Sequence, residues 1–378
     1  MSDSVFETYS LAQLRRRNSV KWRMYPPDVL PLWVAEMDVP LAEPIVEVLR
    51  EAVDRGDTGY AFDASFGDAF VEFAKQRYGW SVPTTPVLVG DVMAGATAAL
   101  TACTRRGDRV VCTPPVYPPF FAAVEQLGLQ VERAPLRATP TGMRLDLDRL
   151  EESFATASAF LLCNPHNPTG HVLTDDELSA VARAADLHDV TVISDEIHAP
   201  LTMPGHRHIP FATLDFESAA RSYTLVAASK AWNLAGLKAA LVVPGPAAAV
   251  DTMPDELWAR AGLFGVLAGT AAFAECTPWL DRVVEALDEN RRLLAELLAD
   301  RLPDVGYHLP EATYLAWLDF EHTGFGDDPA AVLLERGNVA LNSGLSFGVE
   351  GAGYARLNLA TSPAVLTEAV ERMAAVTV

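Results

Sequence analysis

The sequence is poor in positive charge. Its 378 residues contain 29 lysines and arginines against 50 aspartates and glutamates, which gives a formal net charge of −21 at pH 7. A chain with this balance repels phosphate groups, so the composition excludes nucleic acid and anionic membranes as its main partners. The basic run Arg15-Arg16-Arg17 is short, and we interpret it as a solvated arm or the end of a helix.

Cysteines and long apolar runs are also scarce. The four cysteines show no Cys-x-x-Cys spacing, and three of them lie in apolar surroundings, as buried structural cysteines do. His206 and His208 lack a third metal ligand, so we assign them to a loop. No stretch approaches the length of a membrane span, and the first residues lack the apolar run of a signal peptide. We therefore expect a soluble, cytoplasmic protein without a metal site.

Half of the residues are hydrophobic and 21% are charged, which is typical of a globular protein with an enzyme-sized core. Five short segments are apolar throughout, a pattern typical of parallel strands that helices cover on both faces. Thr174 and Glu177 form a capping box, which begins a helix between two of these segments. The sequence therefore predicts an α/β fold on a largely parallel sheet. The predicted strands are 109–112, 159–163, 190–194, 223–228 and 237–243.

A different pattern begins near Asp281. A long amphipathic helix is predicted there, and a strand, a helix closed by Gly337, a second strand and a last helix follow it. This order indicates a smaller α+β domain with its own core. We expect three parts: the N-terminal arm with part of the small domain in 1–45, a large α/β domain in 46–275, and the small domain in 276–378.

Single polar residues follow the ends of the predicted strands. In open α/β sheets, ligands bind beyond the carboxyl ends of the strands. Because these side chains would meet at that edge of the sheet, we expect them to form a ligand site. They are Tyr117, Asn167, Asp195, His198 and Lys230.

Most of these residues also have a purely structural interpretation. Asp195 could cap a helix or hold a pyridinium nitrogen protonated, and Asn167 could be a turn residue or a donor to a phenolate oxygen. Tyr117 could be a packed loop aromatic or a plate stacked on a ring. The segment Gly95-Ala96-Thr97 could simply begin a helix, or it could form a phosphate nest at a helix N-terminus. Singly the structural interpretations are favoured, whereas together the residues indicate pyridoxal phosphate.

The segment 226–240 is apolar apart from two lysines, Lys230 and Lys238. A buried lone charge is costly unless it is paired or its pKa has shifted. Both lysines could lie on exposed loop ends. The alternative is that one lysine is neutral enough to bind a carbonyl group covalently, while the other pairs with an anion.

Six motifs in order, GAT, PVYPPF, NPHNPTG, SDEIH, SKAWNLAGLK and ARLN, resemble those of the fold-type I pyridoxal-phosphate enzymes related to aspartate aminotransferase. The resemblance covers nearly the whole chain and implies the fold of that superfamily. Within it, the motifs RRNSVKW, LPLWVAEMDVP, Gly59-Tyr60 and SDEIHAP resemble the carbon–sulfur β-lyase branch, the cystathionine β-lyases of the MalY/PatB kind.

The resemblance implies a role for each residue around the cofactor. Lys230 would form the Schiff base and move the Cα proton, and Asp195 would pair with the pyridine nitrogen. Asn167 would hydrogen-bond the ring 3′-oxygen, and Tyr117 would stack on the ring face. The residues that would bind the phosphate are Gly95, Ala96, Thr97 and Lys238.

The resemblance also implies where the substrate and a second subunit bind. Arg356 would grip the substrate carboxylate through a bidentate pair, with Asn167 beside it. Val34, with Trp33 and Trp22, could line the substrate pocket or serve as a packing anchor. Tyr60 would reach the phosphate of the neighbouring subunit, so a homodimer with shared active sites is implied.

Two positions depart from the pattern of the family. Much of the superfamily has a tyrosine three residues after the aspartate, where this chain has His198, which is either a cofactor ligand or a histidine behind the site. Many members have a phosphate-binding serine three residues before the lysine, where this chain has Ala227. Ser229 could compensate for the missing hydroxyl.

The reaction implied by the branch is an α,β-elimination on L-cystathionine or a related L-cysteine thioether, which yields a thiol, pyruvate and ammonia. Lys230 would remove the Cα proton, and Tyr60 or Tyr117 would assist the departing sulfur. The nearest alternative is an aminotransferase with the same cofactor. The alternative from another class is a protein that keeps the cofactor but acts by binding a regulator.

Overall fold

The computed structural model describes residues 4–62, 64–254 and 256–376. Its strands β1 to β15 are, in chain order, Leu30–Pro31, Val87–Val89, Arg109–Cys112, Gln130–Arg133, Arg137–Thr139, Gly142–Arg144, Ala159–Cys163, Thr191–Asp195, Tyr223–Val226, Ala240–Pro244, Gly306–Tyr307, Leu315–Asp319, Val339–Ala340, Asn342–Ser343 and Tyr354–Asn358. Its helices α1 to α13 are Leu11–Leu14, Val20–Arg23, Glu43–Asp54, Ser65–Tyr78, Val92–Cys103, Pro119–Gln126, Leu147–Phe154, Asp175–His188, Glu217–Ala220, Leu263–Glu275, Thr277–Arg301, Pro329–Gly337 and Pro363–Ala374.

The larger sheet has the strand order β2-β10-β9-β8-β7-β3-β4. Strands β3, β7, β8 and β9 are parallel, as the apolar runs predict, and β4, which the sequence did not predict, pairs in parallel with β3. The prediction for residues 237–243 is corrected, because the strand begins only at Ala240 and runs antiparallel to both of its neighbours. Its connection from β9 holds a short 3-10 helix, Ala235–Leu237, rather than a crossover helix, so the chain simply turns back.

Core side chains cover both faces of this sheet. Along β7, Phe160 and Leu162 pack with α7 and α8, whereas Leu161 packs on the opposite face with α5 and α6. The capping box predicted for α8 is present: the Thr174 hydroxyl accepts from the Glu177 amide at 3.2 Å, and the Glu177 carboxylate accepts from the Thr174 amide at 2.8 Å. Burial of alternate residues on two helix layers explains why these strands are apolar throughout.

A second sheet, in the order β11-β12-β15-β14, is antiparallel and forms the smaller unit. The long helix α11 begins at Thr277, four residues before the predicted start, and its amphipathic pattern buries a stripe that includes Val284, Leu287, Leu294 and Leu298. The helix that Gly337 was expected to close includes that residue, and Asn338 takes the left-handed conformation after it. Strand β1 pairs with β13, so the N-terminal arm joins this unit.

Among the described residues, no single helix is long and apolar enough to cross a membrane. The consecutive helices α10 and α11 reach that length and apolarity only together, and they meet at an angle of 82°.

Candidate active site

A cavity of about 140 Å³ lies at the carboxyl ends of the parallel strands. Seven of the predicted site residues line it: Tyr117, Asn167, Asp195, His198, Ser229, Lys230 and Lys238. They reach it from loops that follow β3, β7, β8 and β9, which is the arrangement expected for an open α/β sheet. A larger cavity of about 220 Å³, between the β5–β6 hairpin and the smaller unit, is lined by other residues.

The helix that borders this cavity starts earlier than the sequence suggests. Helix α5 begins at Val92, and the side chain of Asp91 caps it by accepting from the Ala94 amide at 2.9 Å. Gly95, Ala96 and Thr97 therefore lie inside the helix, and the expectation that they form its N-terminal phosphate nest is corrected. A Cβ atom on Gly95 would lie 2.9 Å from Val242, so the glycine permits close packing of helix and sheet.

Among the cavity residues that sequence reasoning missed are those at the actual start of α5. Asp91, Val92 and Met93 line the cavity, and Lys238 Nζ lies 3.1 Å from the Asp91 carboxylate. The signal was present in the sequence, since an aspartate after a short apolar strand is a strong N-cap candidate. The prediction from the sequence instead placed the N-terminus of this helix at the motif GAT.

Lys230 and Asp195 are two of the ionisable groups that line the cavity. Burial lowers the pKa of Lys230 to about 8, and the Arg356 charge adds to the effect while Asp195 opposes it. Burial raises the pKa of Asp195 to about 7, against the hydrogen bond from the Ile197 amide and the charge of Lys230. An amine that is readily neutral and a carboxyl group that readily shares a proton therefore face one cavity.

Tyr117 and His198 complete the walls. Burial raises the pKa of Tyr117 to about 12, so its hydroxyl keeps its proton at neutral pH. Its ring packs edge-on against Phe120, with centroids 5.8 Å apart. Burial, with the Lys230 and Arg356 charges, holds the pKa of His198 well below 6.5, and its Nδ1 atom has no hydrogen-bond partner among the described residues.

Arg356 approaches from the smaller unit. Its Nη1 atom donates to Asn167 Oδ1 at 3.0 Å, and its Nη2 atom donates to the Trp33 carbonyl at 3.0 Å. The guanidinium carbon lies 5.0 Å from the centre of the Phe347 ring. Burial lowers the pKa of Arg356 to about 10, so the group remains a cation at neutral pH.

Besides Arg356 and residues 95–97, the predicted residues Tyr60 and Val34 also do not line the cavity. Tyr60 is 82% exposed, and its backbone pairs with Gly262. It lies beside Phe62, which is 87% exposed and packs edge-on against Trp258 at 5.8 Å. Val34 lies next to the site, where its carbonyl accepts from Asn358 Nδ2 at 2.7 Å.

A buried network joins the loop that carries Asn167 to the smaller unit. Glu311 accepts from His171 Nδ1 at 2.6 Å, from the Val172 amide at 2.8 Å and from Arg144 Nη2 at 3.0 Å. His171 Nε2 lies 3.1 Å from both oxygens of Glu177. Burial alone would lower the pKa of His171, but the hydrogen bonds with Glu177 and Glu311 outweigh it and raise the pKa above 6.5.

Comparison with known proteins gives a consistent result. The family described as "Aminotransferase class I and II" matches residues 39–373. A relative from Mycobacterium tuberculosis, provisionally named a cystathionine beta-lyase, is 46% identical over 99% of this chain and 98% of its own length. The cystathionine beta-lyase PatB of Bacillus subtilis is 36% identical over 92% of each chain. The PLP-bound C-S lyase of Staphylococcus hominis has a similar structure, with a TM-score of 0.87 and 26% identity over 98% of each chain.

Proposed function

This chain belongs to the aminotransferase class I and II family, and we propose that within this family it is a pyridoxal-phosphate-dependent carbon–sulfur β-lyase. Its substrate is L-cystathionine or a related L-cysteine S-conjugate, and its products are a thiol, pyruvate and ammonia. The observation that carries the proposal is the buried pair of Lys230 and Asp195 in one cavity, with the Arg356 cation at its edge. The names of the relatives support the choice of reaction.

The described residues fit the cofactor. The buried Asp195 carboxyl, with a pKa of about 7, suits a cationic ring nitrogen, since that charge would stabilise the ionised form. Asn167 and the unpartnered Nδ1 atom of His198 offer polar contacts for the ring oxygen. The N-terminus of α5 at Val92 and Met93, rather than residues 95–97, would accept the phosphate.

The remaining contacts follow from the same cavity. Lys238 and Ser229 line it near the start of α5 and would add a cation and a hydroxyl for the phosphate. Tyr117 would stack on the ring, and Lys230 would bind the cofactor aldehyde covalently. When bound, pyridoxal phosphate supplies an electron sink that stabilises negative charge at the substrate Cα.

Protein side chains do the rest of the chemistry. Arg356 binds the substrate carboxylate through its two terminal nitrogens and holds the Cα–H bond next to Lys230. The Lys230 amine, whose pKa is about 8, then takes the proton from Cα. The Tyr117 hydroxyl, whose pKa is about 12, holds a proton that it can give to the departing sulfur.

The proposal includes a homodimer. Tyr60, Phe62 and Trp258 form an exposed aromatic patch, which a second copy of the chain would cover. Tyr60 would then reach the phosphate of the partner's site. We also retain the division into an arm (1–45), a large domain (46–275) and a small domain (276–378), and a cytoplasmic location, as parts of the proposal.

One assay tests the reaction. Purified protein loaded with pyridoxal phosphate is given L-cystathionine without any keto acid, and pyruvate and free thiol are followed together over many turnovers. Continuing release of both in equal amounts is expected. A stalled conversion to the pyridoxamine form that a keto acid restarts would overturn the lyase and assign the chain to the aminotransferases.

A further inference from the structure

We propose that Asn233 is a positioning residue that fastens the turn carrying Lys230 to the segment 33–37, and so sets the distance between Lys230 and Arg356. The proposal deepens the proposed function, because it rests on the roles given there to the lysine and the arginine. Asn233 belongs to the motif SKAWNLAGLK, but neither the cofactor nor the substrate accounts for it.

The side-chain amide of Asn233 is bonded in both directions to one backbone residue. The Met37 amide donates to Asn233 Oδ1 at 2.8 Å, and Asn233 Nδ2 donates to the Met37 carbonyl at 2.9 Å. Met37 is fully buried, so its backbone groups depend on protein partners rather than on water. Asn233 is the partner of the amide, whereas the carbonyl also accepts from Arg17 Nη1 at 3.1 Å. The side-chain amide of Asn233 thus makes the pair of hydrogen bonds that the backbone of a neighbouring strand would make with Met37.

The backbone conformation of Asn233 would suit glycine better, which indicates that the asparagine side chain has a role at this position. Its φ is 59°, in the left-handed region where glycine is the least strained residue. An asparagine tolerates this region better than most residues, but only glycine would be free of strain. The two hydrogen bonds to Met37 offset the cost of keeping a side chain there.

We call the two hydrogen bonds between Asn233 and Met37 the clamp. Hydrogen bonds within the turn around Asn233 connect this clamp to Lys230. The Trp232 amide donates to the Ala228 carbonyl at 3.0 Å, and the Leu234 amide donates to the Ser229 carbonyl at 2.9 Å. Trp232 Nε1 donates to the Cys276 carbonyl at 3.2 Å, which anchors the turn to the helix layer. Lys230 lies three residues before Asn233 in this turn, so its backbone is held by the same hydrogen bonds.

The other partner, segment 33–37, is held by side chains along its whole length. At its first residue, the Trp33 carbonyl accepts from Arg356. Farther along, Asn358 Nδ2 donates to the carbonyls of residues 34 and 36, both at 2.7 Å, and the Tyr314 hydroxyl donates to that of residue 35 at 3.1 Å. The segment therefore connects the two proposed functional residues, with Arg356 bonded to one end and Asn233, from the turn that carries Lys230, bonded to the other.

Loss of the clamp would release the end of the segment nearest to Lys230. The Met37 amide would lose its partner in the interior, which favours movement of the segment, while the carbonyl would keep its hydrogen bond from Arg17. Arg356 and Lys230 would then no longer be fixed relative to each other. Because proton removal depends on this geometry, a displacement of about 1 Å is expected to lower kcat/KM on the order of 10²-fold.

The diagnostic variant is Asn233→Gly, since glycine accepts the left-handed backbone and only the clamp is removed. Asn233→Asp is the second variant, because it keeps the acceptor for the Met37 amide but loses the donor. The matched control is Ser218→Ala, which removes a buried hydrogen bond of 3.0 Å to the Ala182 carbonyl between α8 and α9, away from the cavity.

The first measurement is hydrogen exchange of peptides that cover residues 33–38, in protein without cofactor. Asn233→Gly is expected to exchange faster there while Ser218→Ala exchanges as the wild type, and Asn233→Asp is expected to fall between. The second measurement is the steady-state kinetics of the loaded enzyme. Asn233→Gly is expected to lower kcat as well as kcat/KM and to shift the rising, acidic limb of the pH profile of kcat to higher pH, since Arg356 contributes to the low pKa of Lys230.

Wild-type exchange in residues 33–38 of Asn233→Gly would overturn the proposal, as would faster exchange with unchanged kcat and pH profile. If the wild-type enzyme releases no pyruvate from L-cystathionine, the proposed function fails. The exchange measurement still decides whether Asn233 holds the segment, because it needs neither cofactor nor turnover.

Discussion

Arg356 Nη1 lies 3.0 Å from Asn167 Oδ1, although 189 positions separate the two residues in the chain. The bond joins the antiparallel sheet of the smaller unit to the loop after β7 in the larger sheet. The residue proposed to bind the substrate carboxylate is thus already bonded to the residue proposed to contact the cofactor ring. A substrate carboxylate must share or displace this bond when it binds, which couples occupation of the two subsites.

Arg356→Ala is expected to raise KM on the order of 10²-fold with a smaller change in kcat, because truncation of a buried charged partner costs about 2–5 kcal/mol. Steady-state kinetics with L-cystathionine measures both constants. The control is Arg77→Ala, which removes an ion pair of 2.9 Å with Asp281 outside the cavity and should leave both unchanged. Unchanged kinetics in Arg356→Ala would place the carboxylate site elsewhere.

Lys230→Ala is expected to abolish both turnover and the visible absorbance of the lysine-bound cofactor, whereas Lys238→Ala should keep the absorbance and weaken cofactor affinity. The neutral amine that the substrate frees is the base, so wild-type kcat should rise as the pH increases through about 8, the pKa of Lys230. Absorbance spectra and a pH–rate profile provide the measurements. Turnover by Lys230→Ala would contradict the mechanism.

Asp195→Asn is expected to keep bound cofactor but to lower kcat on the order of 10²–10³-fold, as for the loss of a charge that stabilises a transition state. The amide preserves the shape of the side chain but cannot pair with a cationic ring nitrogen as a carboxylate does. Bound cofactor is measured by absorbance and activity by pyruvate release. An unchanged kcat would mean that Asp195 does not serve the ring nitrogen.

His171 should stabilise the fold most between about pH 4.5 and 6.5. Its pKa is raised above 6.5 in the fold, so its contribution is present below 6.5 and is lost as the pH rises through the folded value. Its partner Glu177 has a pKa lowered from 4.5 to about 2, so that contribution is present above 4.5 and is lost as the pH falls. Arg144, Glu311 and His166 are the other charged or titratable groups nearby.

The test is urea unfolding of His171→Gln and of the wild type across this pH range, both without cofactor. The difference in unfolding free energy is expected to be about 1.5–3 kcal/mol near pH 6 and to shrink at higher pH. A difference that stays constant up to pH 9 would show that the charge of His171 does not act in the network.

Phe62→Asp is expected to convert a dimer into a monomer, because it places a charge in the exposed aromatic patch with Tyr60 and Trp258. Sedimentation analysis measures the mass. Leu187→Asp is the control, since Leu187 is 68% exposed on α8 outside the patch. Tyr60→Ala should weaken cofactor binding in the dimer, and unchanged cofactor affinity would remove Tyr60 from the partner's site.

Local patterns in the sequence predicted the central elements of the larger sheet. The apolar runs at 109–112 and 159–163 coincide with strands, the run at 223–228 contains β9, and Thr174 begins α8 through the predicted capping box. These signals succeed because strand burial and helix capping depend on neighbours in the chain. The start of α5 was missed although Asp91 carried the same kind of signal, because the motif GAT was given more weight.

Contacts between distant residues could not be predicted in this way. Nothing in the sequence around Arg356 indicates Asn167 or the Trp33 carbonyl as its partners, and nothing around Asn233 indicates Met37. Side chains that bond to backbone carbonyls leave no pattern in the residues that carry those carbonyls. The antiparallel direction of β10 was likewise hidden, because its apolar composition matches that of its parallel neighbours.

The hydrogen bonds that hold the backbone of segment 33–37 affect how the substrate preference of the protein can evolve. The main chain of the segment is fixed from outside by side chains of residues elsewhere in the chain, such as Asn358 and Tyr314. The side chains of residues 33–36 contribute nothing to those bonds, so substitutions among them leave the bonds that hold the backbone intact. Selection for a new thioether can therefore act on this segment beside the site one residue at a time, without first rebuilding the fold.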